Sequence, residues 1–333
     1  MRPQLAERLR CPACRSAGTL ALEVREQDDR EVREGTLRCR SCGAERPVAA
    51  GIADLLHDAP AHVRREAEGL ARFAEEMRNS GWDAERILRL PYEEHGYWHN
   101  QASAMHQVLN RGMLGHEPGA RVLDVGSNTC WASAMMARHG HDVVALDISA
   151  DAMQGLGVGD IWFSQGDVFF DRVLGSMADM PFADATFDAV WCCEVLHHNT
   201  RRDLFTAFAE IHRVLRPGGR VVVVNEPVRA VRTLKLRPGR EVAGYEGNEH
   251  AYLRRTYLRA ARAAGLRVEP FAPWVHRMFC LEDFVIAPET PIRSAFATAM
   301  AHSVRRWGTL RSAVLLWQNY VGGTAMHMAG VRP

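Results

Sequence analysis

The stretch from Arg121 to Ser149 constrains this chain more than any other. A short apolar run with one acid, Val122-Leu-Asp124-Val, ends at Gly126. A helix-length segment follows, Trp131 to Gly140, with small and apolar residues at Ala132, Met135, Met136 and Ala137. A second apolar run, Val143 to Leu146, ends in Asp147. Strand, turn, helix and strand in this order form the first half of an open parallel sheet, which sets the fold class as α/β. A tight turn at a strand's carboxyl end brings backbone close to a ligand at a helix N-terminus. An acid ending the next strand can accept both hydroxyls of a ribose. Gly126 and Asp147 are 21 positions apart (147 − 126), near the separation of about 20 that this geometry uses.

The stretch resembles motif I and the acidic loop of class I S-adenosylmethionine (SAM)-dependent methyltransferases. That family usually carries Asp/Glu-x-Gly-x-Gly-x-Gly, whereas this chain has Asp124-Val-Gly126-Ser-Asn128-Thr-Cys130, with two of the three glycines replaced. Asn tolerates positive φ better than most residues, so Asn128 is a reasonable substitute; Cys130 is small but keeps a Cβ. The resemblance implies that Asp124, Gly126, Asn128, Asp147 and Ile148 contact SAM. It extends further along the chain. Phe187-Asp-Ala-Val resembles the family's fourth strand, and Leu215-Arg-Pro-Gly-Gly219, a sharp turn before the apolar run Val221 to Val224, is frequent in it. The third candidate strand, Phe170 to Ala178, runs into Gly175-Ser-Met-Ala-Asp179-Met-Pro-Phe182, similar to Gly-Asp-Ala-x-x-Leu-Pro-Phe, whose acid and backbone hold adenine. Ser176 stands where that acid usually is, so Asp179 or the Met177 backbone is expected to take over. Glu194, His197 and His198 lie past the fourth strand's carboxyl end, where open sheets bind ligands. Glu194 is expected on the cofactor side; one His is expected to be structural, and His198 to serve as a base. Cys192 and Cys193 are expected in the core.

Before this sheet come two Cys-x-x-Cys knuckles, Cys11-Pro-Ala-Cys14 and Cys39-Arg-Ser-Cys42. Two such turns place four thiolates around one ion, a structural Zn2+ site. Leu20, Leu22 and Val24 alternate between the knuckles as a strand would, and Arg46 to Leu56 resembles the end of Trm112-like zinc ribbons attached to some methyltransferases. Residues Ala61 to Asn79 carry a helical stripe at Val63, Ala67, Leu70, Phe73 (or Ala74) and Met77, which Gly81 ends. Trp82 to Leu90 reads as a second helix, followed by an aromatic and polar cluster from Tyr92 to Asn100 that includes Trp98. In similar proteins the segment before motif I lids the methionine end of SAM; the plainer alternative is an aromatic surface packed on the sheet. The expected organisation is a zinc ribbon (1–56), a helical connector or lid (57–118), a SAM-binding methyltransferase domain with an acceptor loop (119–290) and a helical tail (291–333). The fold expected is a Rossmann-like seven-stranded methyltransferase sheet with an N-terminal zinc ribbon and helical additions.

A net charge of +1 over 333 residues makes no case for nucleic acid or membrane as a partner. Met1 to Arg10 is polar and no apolar run reaches signal or transmembrane length, so a cytoplasmic chain with reduced cysteines is expected. Residues 228–333 hold 16 Lys and Arg against 7 Asp and Glu, which suits an anionic acceptor or a solvated helical surface. There the polar loop Gly244 to His250 precedes a helix from Tyr252 to Ala264. His250 and Glu249 are candidate bases, or caps of that helix. Apolar positions at Trp307, Leu310, Val314, Leu315 and Trp317 could cover the sheet, line a pocket or join a homodimer. The expected reaction is methyl transfer from SAM to an O or N of a small molecule, a glycan or natural product, with alignment supplying most of the catalysis. Two other functions stay open. One is rRNA or tRNA methylation with RNA recognition by the ribbon, although 10 basic against 9 acidic residues in 1–56 do not form a basic patch. The other is a non-catalytic binding protein on the SAM fold, suggested by the altered glycine motif.

Overall fold

The computed structural model describes residues 1–92, 96–115, 117–165, 168–229, 250, 252–271 and 325–333, with 309 and 313 as isolated positions. Four short strands open the chain: β1 (Leu20–Gln27), β2 (Val32–Cys39), β3 (Glu45–Ala49) and β4 (Ile52–Asp54), each antiparallel to the next. Three helices follow, α1 (Ala61–Asn79), α2 (Ala84–Leu88) and α3 (Gly96–Asn110). Strands and helices then alternate: β5 (Arg121–Val125), α4 (Trp131–Arg138), β6 (Asp142–Asp147), α5 (Gly159–Gln165), β7 (Asp171–Leu174), β8 (Phe187–Cys193), α6 (Arg201–Val214), β9 (Leu215–Pro227), α7 (Arg254–Ala263), β10 (Arg267–Phe271) and β11 (Ala325–Val331).

Among the described residues all eleven strands form one sheet, in the order β1-β2-β3-β4-β7-β6-β5-β8-β9-β11-β10. The seven from β7 to β10 are the expected α/β sheet. Its first five are parallel, while β11 runs antiparallel to both β9 and β10. Strand order reverses at β5, which pairs with β6 on one side and β8 on the other. Crossovers diverge to opposite faces there and leave a crevice at the carboxyl ends.

Period-two alternation divides the strands between two apolar layers. Leu123, Val125, Val190, Cys192, Val221 and Val223 pack on one face with Leu204, Phe208 and Ile211 of α6 and Tyr257 of α7. Val122, Ala189, Trp191, Val222 and Val224 pack on the other with Met105 and Val108 of α3 and Met136 of α4.

The four N-terminal strands extend this sheet. β4 pairs in parallel with β7, Ile52 opposite Arg172. Leu5, Leu9, Leu37 and Val48 share one core with Val173, Met180 and Phe182. The fully buried Arg172 guanidinium donates to Glu31 Oε1 at 2.8 Å across this junction.

Several elements differ from their sequence-based bounds. β7 stops at Leu174 because a turn at Ser176 to Asp179 follows. Arg216 to Gly219 loops out within one long β9, for Phe187 faces Leu215 while Ala189 already faces Arg220. α2 is a single short turn, started by Asp83, whose side chain accepts from Arg86 N. Glu249, the rest of the loop before His250 and the apolar tail positions from Trp307 to Trp317 lie outside the described residues.

Candidate active site

The turn after β5 is built from three left-handed residues at alternate positions: Gly126 (φ 70), Asn128 (φ 43) and Cys130 (φ 55). The backbone path that three glycines would allow is thus kept with one. Gly126 is the position that cannot vary: a Cβ there would meet Val195 Cγ2 at 2.2 Å. Asn tolerates the left-handed region through its short polar side chain, and Cys130 carries the cost of its Cβ at the N-cap of α4.

Asp147, at the end of β6, fixes this turn from the neighbouring strand. Its Oδ2 accepts from Asn128 N and its Oδ1 from Ser149 N, both at 2.9 Å. Asp124, inside β5, accepts from Ser133 Oγ at 2.6 Å. Burial pushes the Asp124 carboxyl up to about 7, against the Ser133 bond. Burial likewise pushes Asp147 up to about 6, with backbone N–H donors pulling it down.

Above these carboxylates lies a cavity of about 700 Å³, within the size range of small-molecule sites. The strand ends supply Asp124, Gly126, Asn128, Asp147, Ile148, Gly175, Met177, Glu194 and His198. The opposite wall comes from α1 (Glu66, Leu70, Phe73, Met77) and from Trp82, Trp98 and Gln101. α1 is tied across the opening at both ends. His62 near its start lies 3.2 Å from Asp203 of α6, and Arg78 at its end lies 3.1 Å from Asp151, beyond β6. Two buried acceptors on the wall, Asn128 Oδ1 and Gln154 Oε1, have no hydrogen-bond partner among the described residues.

The two adjacent histidines divide their roles. Glu226, fully buried at the end of β9, accepts from Val195 N and Leu196 N at 2.8 Å and from His197 N at 3.1 Å; its Oε2 also lies 3.2 Å from His197 Nδ1. Burial drives the Glu226 carboxyl up, but His197 and these N–H donors outweigh it and hold it below the usual range. His197 is thereby locked into the fold. His198 faces the cavity, with Nδ1 2.9 Å from Glu66 Oε1. This is an ion-pair contact that meets the ring off its N–H direction. His250 N donates to His197 O at 3.0 Å, which brings the chain back beside the pair. Burial, then the neighbouring His198 and His197, lower the His250 pKa. Left-handed Glu194 (φ 50) and Asn225 (φ 55) mark the same edge of the sheet.

Asp124, Gly126, Asn128, Asp147, Ile148, Met177, Glu194, Trp98 and His198 therefore line one cavity. Asp179 stands apart from these residues. Its carboxylate lies 2.7 Å from Arg10 and 3.4 Å from Arg15, and it is not part of the cavity wall. The chain turns toward the N-terminal strands after Met177, and two guanidinium groups wait there. Cys193 is also not simply core: it reaches the cavity wall, its Sγ donating to Gln101 Oε1 at 2.7 Å. Sequence reasoning missed Glu66, Gln101 and Gln154. A signal for Glu66 existed, since it sits three residues after Val63 and four before Leu70, an acid inside the apolar stripe.

In the N-terminal segment, Cys11 Sγ and Cys42 Sγ are 3.7 Å apart, and Cys14 Sγ and Cys39 Sγ 3.6 Å. All four sulfurs lie within 4.8 Å of one another. Four thiolates at about 2.3 Å from a tetrahedral zinc would be about 3.8 Å apart, so this donor set fits the ion. No helix among the described residues is long and apolar enough to cross a membrane.

Residues 123–223 match the family model described as a methyltransferase domain. Over this segment the chain is similar to methyltransferase domains. It is 35% identical over 138 residues to the 27-O-demethylrifamycin SV methyltransferase of Amycolatopsis mediterranei, a match covering 39% of this chain and 49% of that protein. It is 28% identical over 225 residues to the demethylmenaquinone methyltransferase of Mycobacterium marinum, covering 67% and 80% respectively. The chain thus spans about half the length of the first of these relatives. Among solved structures it is similar to a chain from the complex between the Haloferax volcanii Trm112 methyltransferase activator and a methyltransferase, with a TM-score of 0.48, 18% identity and coverage of 81% of this chain and 97% of that one. The β5 turn and the ends of β6 and β8 fall inside the matched methyltransferase domain, whereas α1 with Glu66 lies outside it.

Proposed function

We propose that this protein transfers a methyl group from SAM to an oxygen or nitrogen of a small, largely apolar molecule. The observation that carries this reading is Asp147: a buried carboxylate at the end of β6, bound to the left-handed β5 turn and lining the cavity. SAM fits the groups present. Its ribose hydroxyls suit Asp147, and its remaining N–H donors suit acceptors such as Asn128 Oδ1 and Gln154 Oε1 that lack partners. Ile148, Gly175 and the Met177 backbone would flank its base; Glu194 and Trp98 would approach the sulfonium end. SAM supplies an already activated methyl group, so the chain's main task is to align and desolvate. His198, facing the cavity, would take the acceptor's proton, with His250 and Glu249 as further candidates.

The relatives are named for rifamycin and menaquinone precursors, both small molecules. An apolar wall of Leu70, Phe73, Met77, Trp82 and Trp98 suits a natural product better than a glycan, whose hydroxyls would lose their water there. Cys11, Cys14, Cys39 and Cys42 would hold a structural zinc, outside the cavity wall. Calorimetry with S-adenosylhomocysteine tests the reading. The protein should bind it, and Asp147→Ala should weaken binding about ten- to a hundredfold, the loss expected when hydroxyl donors lose a charged acceptor. A folded protein that does not bind S-adenosylhomocysteine would overturn the proposal.

A further inference from the structure

Glu66 belongs to neither the sheet nor the turn that shapes the cofactor side. It is only 5% exposed, on a helix outside the matched methyltransferase segment, and it lines the cavity beside His198. A carboxylate is costly to bury without a charged or hydrogen-bonded partner, and the His198 ring is one such partner. We propose that Glu66 is the positioning residue for a His198 general base, and that the acceptor is an apolar molecule presenting an ionisable hydroxyl, phenolic or enolic. This rests on the methyl-transfer reading above.

The chemistry follows from the pair. A carboxylate at Nδ1 keeps the neutral ring's proton on that nitrogen and makes Nε2 the base. The contact meets the ring off axis, as catalytic hydrogen bonds often do before substrate binds. His198 takes the hydroxyl proton as the acceptor oxygen bonds the methyl carbon. The electron pair of the broken S–C bond stays on sulfur. Positive charge therefore leaves the sulfonium and reappears on the imidazolium, where Glu66 stabilises it. Imidazole titrates at about 6.5 and a phenol at about 10; an aliphatic alcohol is far less acidic and a poor match for this base. The wall of Leu70, Phe73, Met77, Trp82 and Trp98 would receive the apolar body.

Other charged or titratable groups face or adjoin His198. Asp147 from β6 and Glu194 from the end of β8 line the same cavity. His197 lies against it at a tilt, with ring centroids 4.1 Å apart, and is itself held by Glu226. His250 feels its charge. Among these, Glu66 is the carboxylate at 2.9 Å, so its removal should dominate.

The test is an NMR titration of the His198 imidazole in the full-length protein saturated with S-adenosylhomocysteine, assigned through His198→Ala. Glu66→Gln should lower the His198 pKa by about one unit, and Glu66→Asp should keep it closer to wild type. Should Glu66→Gln not fold, Glu66→Met removes the same charge at similar volume. An unchanged titration in a folded charge-removed variant overturns the pairing. Calorimetry on the same complex tests the acceptor class: naphthol should bind and methyl glucoside should not. Glucoside binding, or no naphthol binding at millimolar concentration, overturns that class. S-adenosylhomocysteine affinity in these samples is the separate control, since its absence would sink the methyl-transfer reading itself.

Discussion

Asp147 and Gly126 line the cavity where the proposed cofactor would sit, and each makes a separate prediction. Burial holds the Asp147 carboxyl up at about 6, so the folded protein protonates it well before an exposed Asp would be. A ribose hydroxyl donates more strongly to the ionised form. S-adenosylhomocysteine affinity should therefore be flat above about pH 7 and fall as pH drops through about 6, approaching tenfold per unit. Calorimetry across that window checks it; a flat profile would remove Asp147 from the ribose contact. Gly126→Ala adds a Cβ that meets Val195 at 2.2 Å, at φ 70. Left-handed strain and overpacking together should cost about 2–4 kcal/mol and abolish S-adenosylhomocysteine binding, as thermal melts and calorimetry would show. Both residues were legible in the sequence because their spacing follows from local strand and turn geometry. Asn128 was legible for the same reason, since its tolerance of positive φ is intrinsic. Asp179 was not, because its partner Arg10 lies 169 residues away in the chain, and no local pattern announces such a pair. The contact between Glu66 and His198 is hidden in the same way, although His198 itself was expected at this edge of the sheet.

Among the elements, α1 shows how much periodicity can and cannot say. Its apolar stripe and the terminating Ser80-Gly81, with Gly81 at φ 83, set its length within the sequence. What it covers is decided elsewhere, by Asp203 on α6 and Asp151 beyond β6, which hold its two ends. These ties are partly exposed polar contacts, each worth little, while Ala74 and Met77 anchor the helix in the core. A helix held this way should open locally more easily than the sheet beneath it. Amide hydrogen exchange in Ala61–Asn79 should therefore slow when S-adenosylhomocysteine binds under it, while exchange in β5 and β8 changes less. Unaltered α1 exchange, in a sample where calorimetry shows binding, would mean that the helix does not cover the ligand. β9 gives the complementary lesson. Arg216-Pro-Gly-Gly219 announced a turn, but it lies inside a strand that resumes its pairing at Arg220. Local chemistry fixed the bend and long-range pairing fixed its place in the sheet.

For the whole molecule the decisive feature is that the N-terminal strands and the parallel sheet share one set of hydrogen bonds and one core. β4 occupies the edge of β7, Leu5, Leu37 and Val48 pack with Val173 and Phe182, and the buried Arg172 guanidinium finds its carboxylate on Glu31. If the four cysteines hold the proposed ion, its loss would loosen the strands beside them. Unfolding them would expose the β7 edge and leave Arg172 without Glu31 and with the partly exposed Asp160 as its remaining carboxylate, a loss below the roughly 3–5 kcal/mol of a buried charge left wholly unpaired. The two parts should therefore melt together. Freshly purified, reduced protein should contain about one zinc per chain, and stripping it with a chelator should lower the single melting transition by about 10 °C or more. Cys11→Ser should act in the same direction, because Cys11 is buried among the four. Differential scanning calorimetry with metal analysis distinguishes the outcomes. A separate low-temperature transition, with the main one unmoved, would show that the ribbon folds apart from the sheet despite the shared edge. Metal-free protein with an unchanged melt would show that the sulfur cluster serves no ion. The Cys-x-x-Cys spacing made the cluster visible in the sequence, but the coupling depends on Arg172 and Glu31, 141 residues apart, and on a strand pairing that only the folded chain defines.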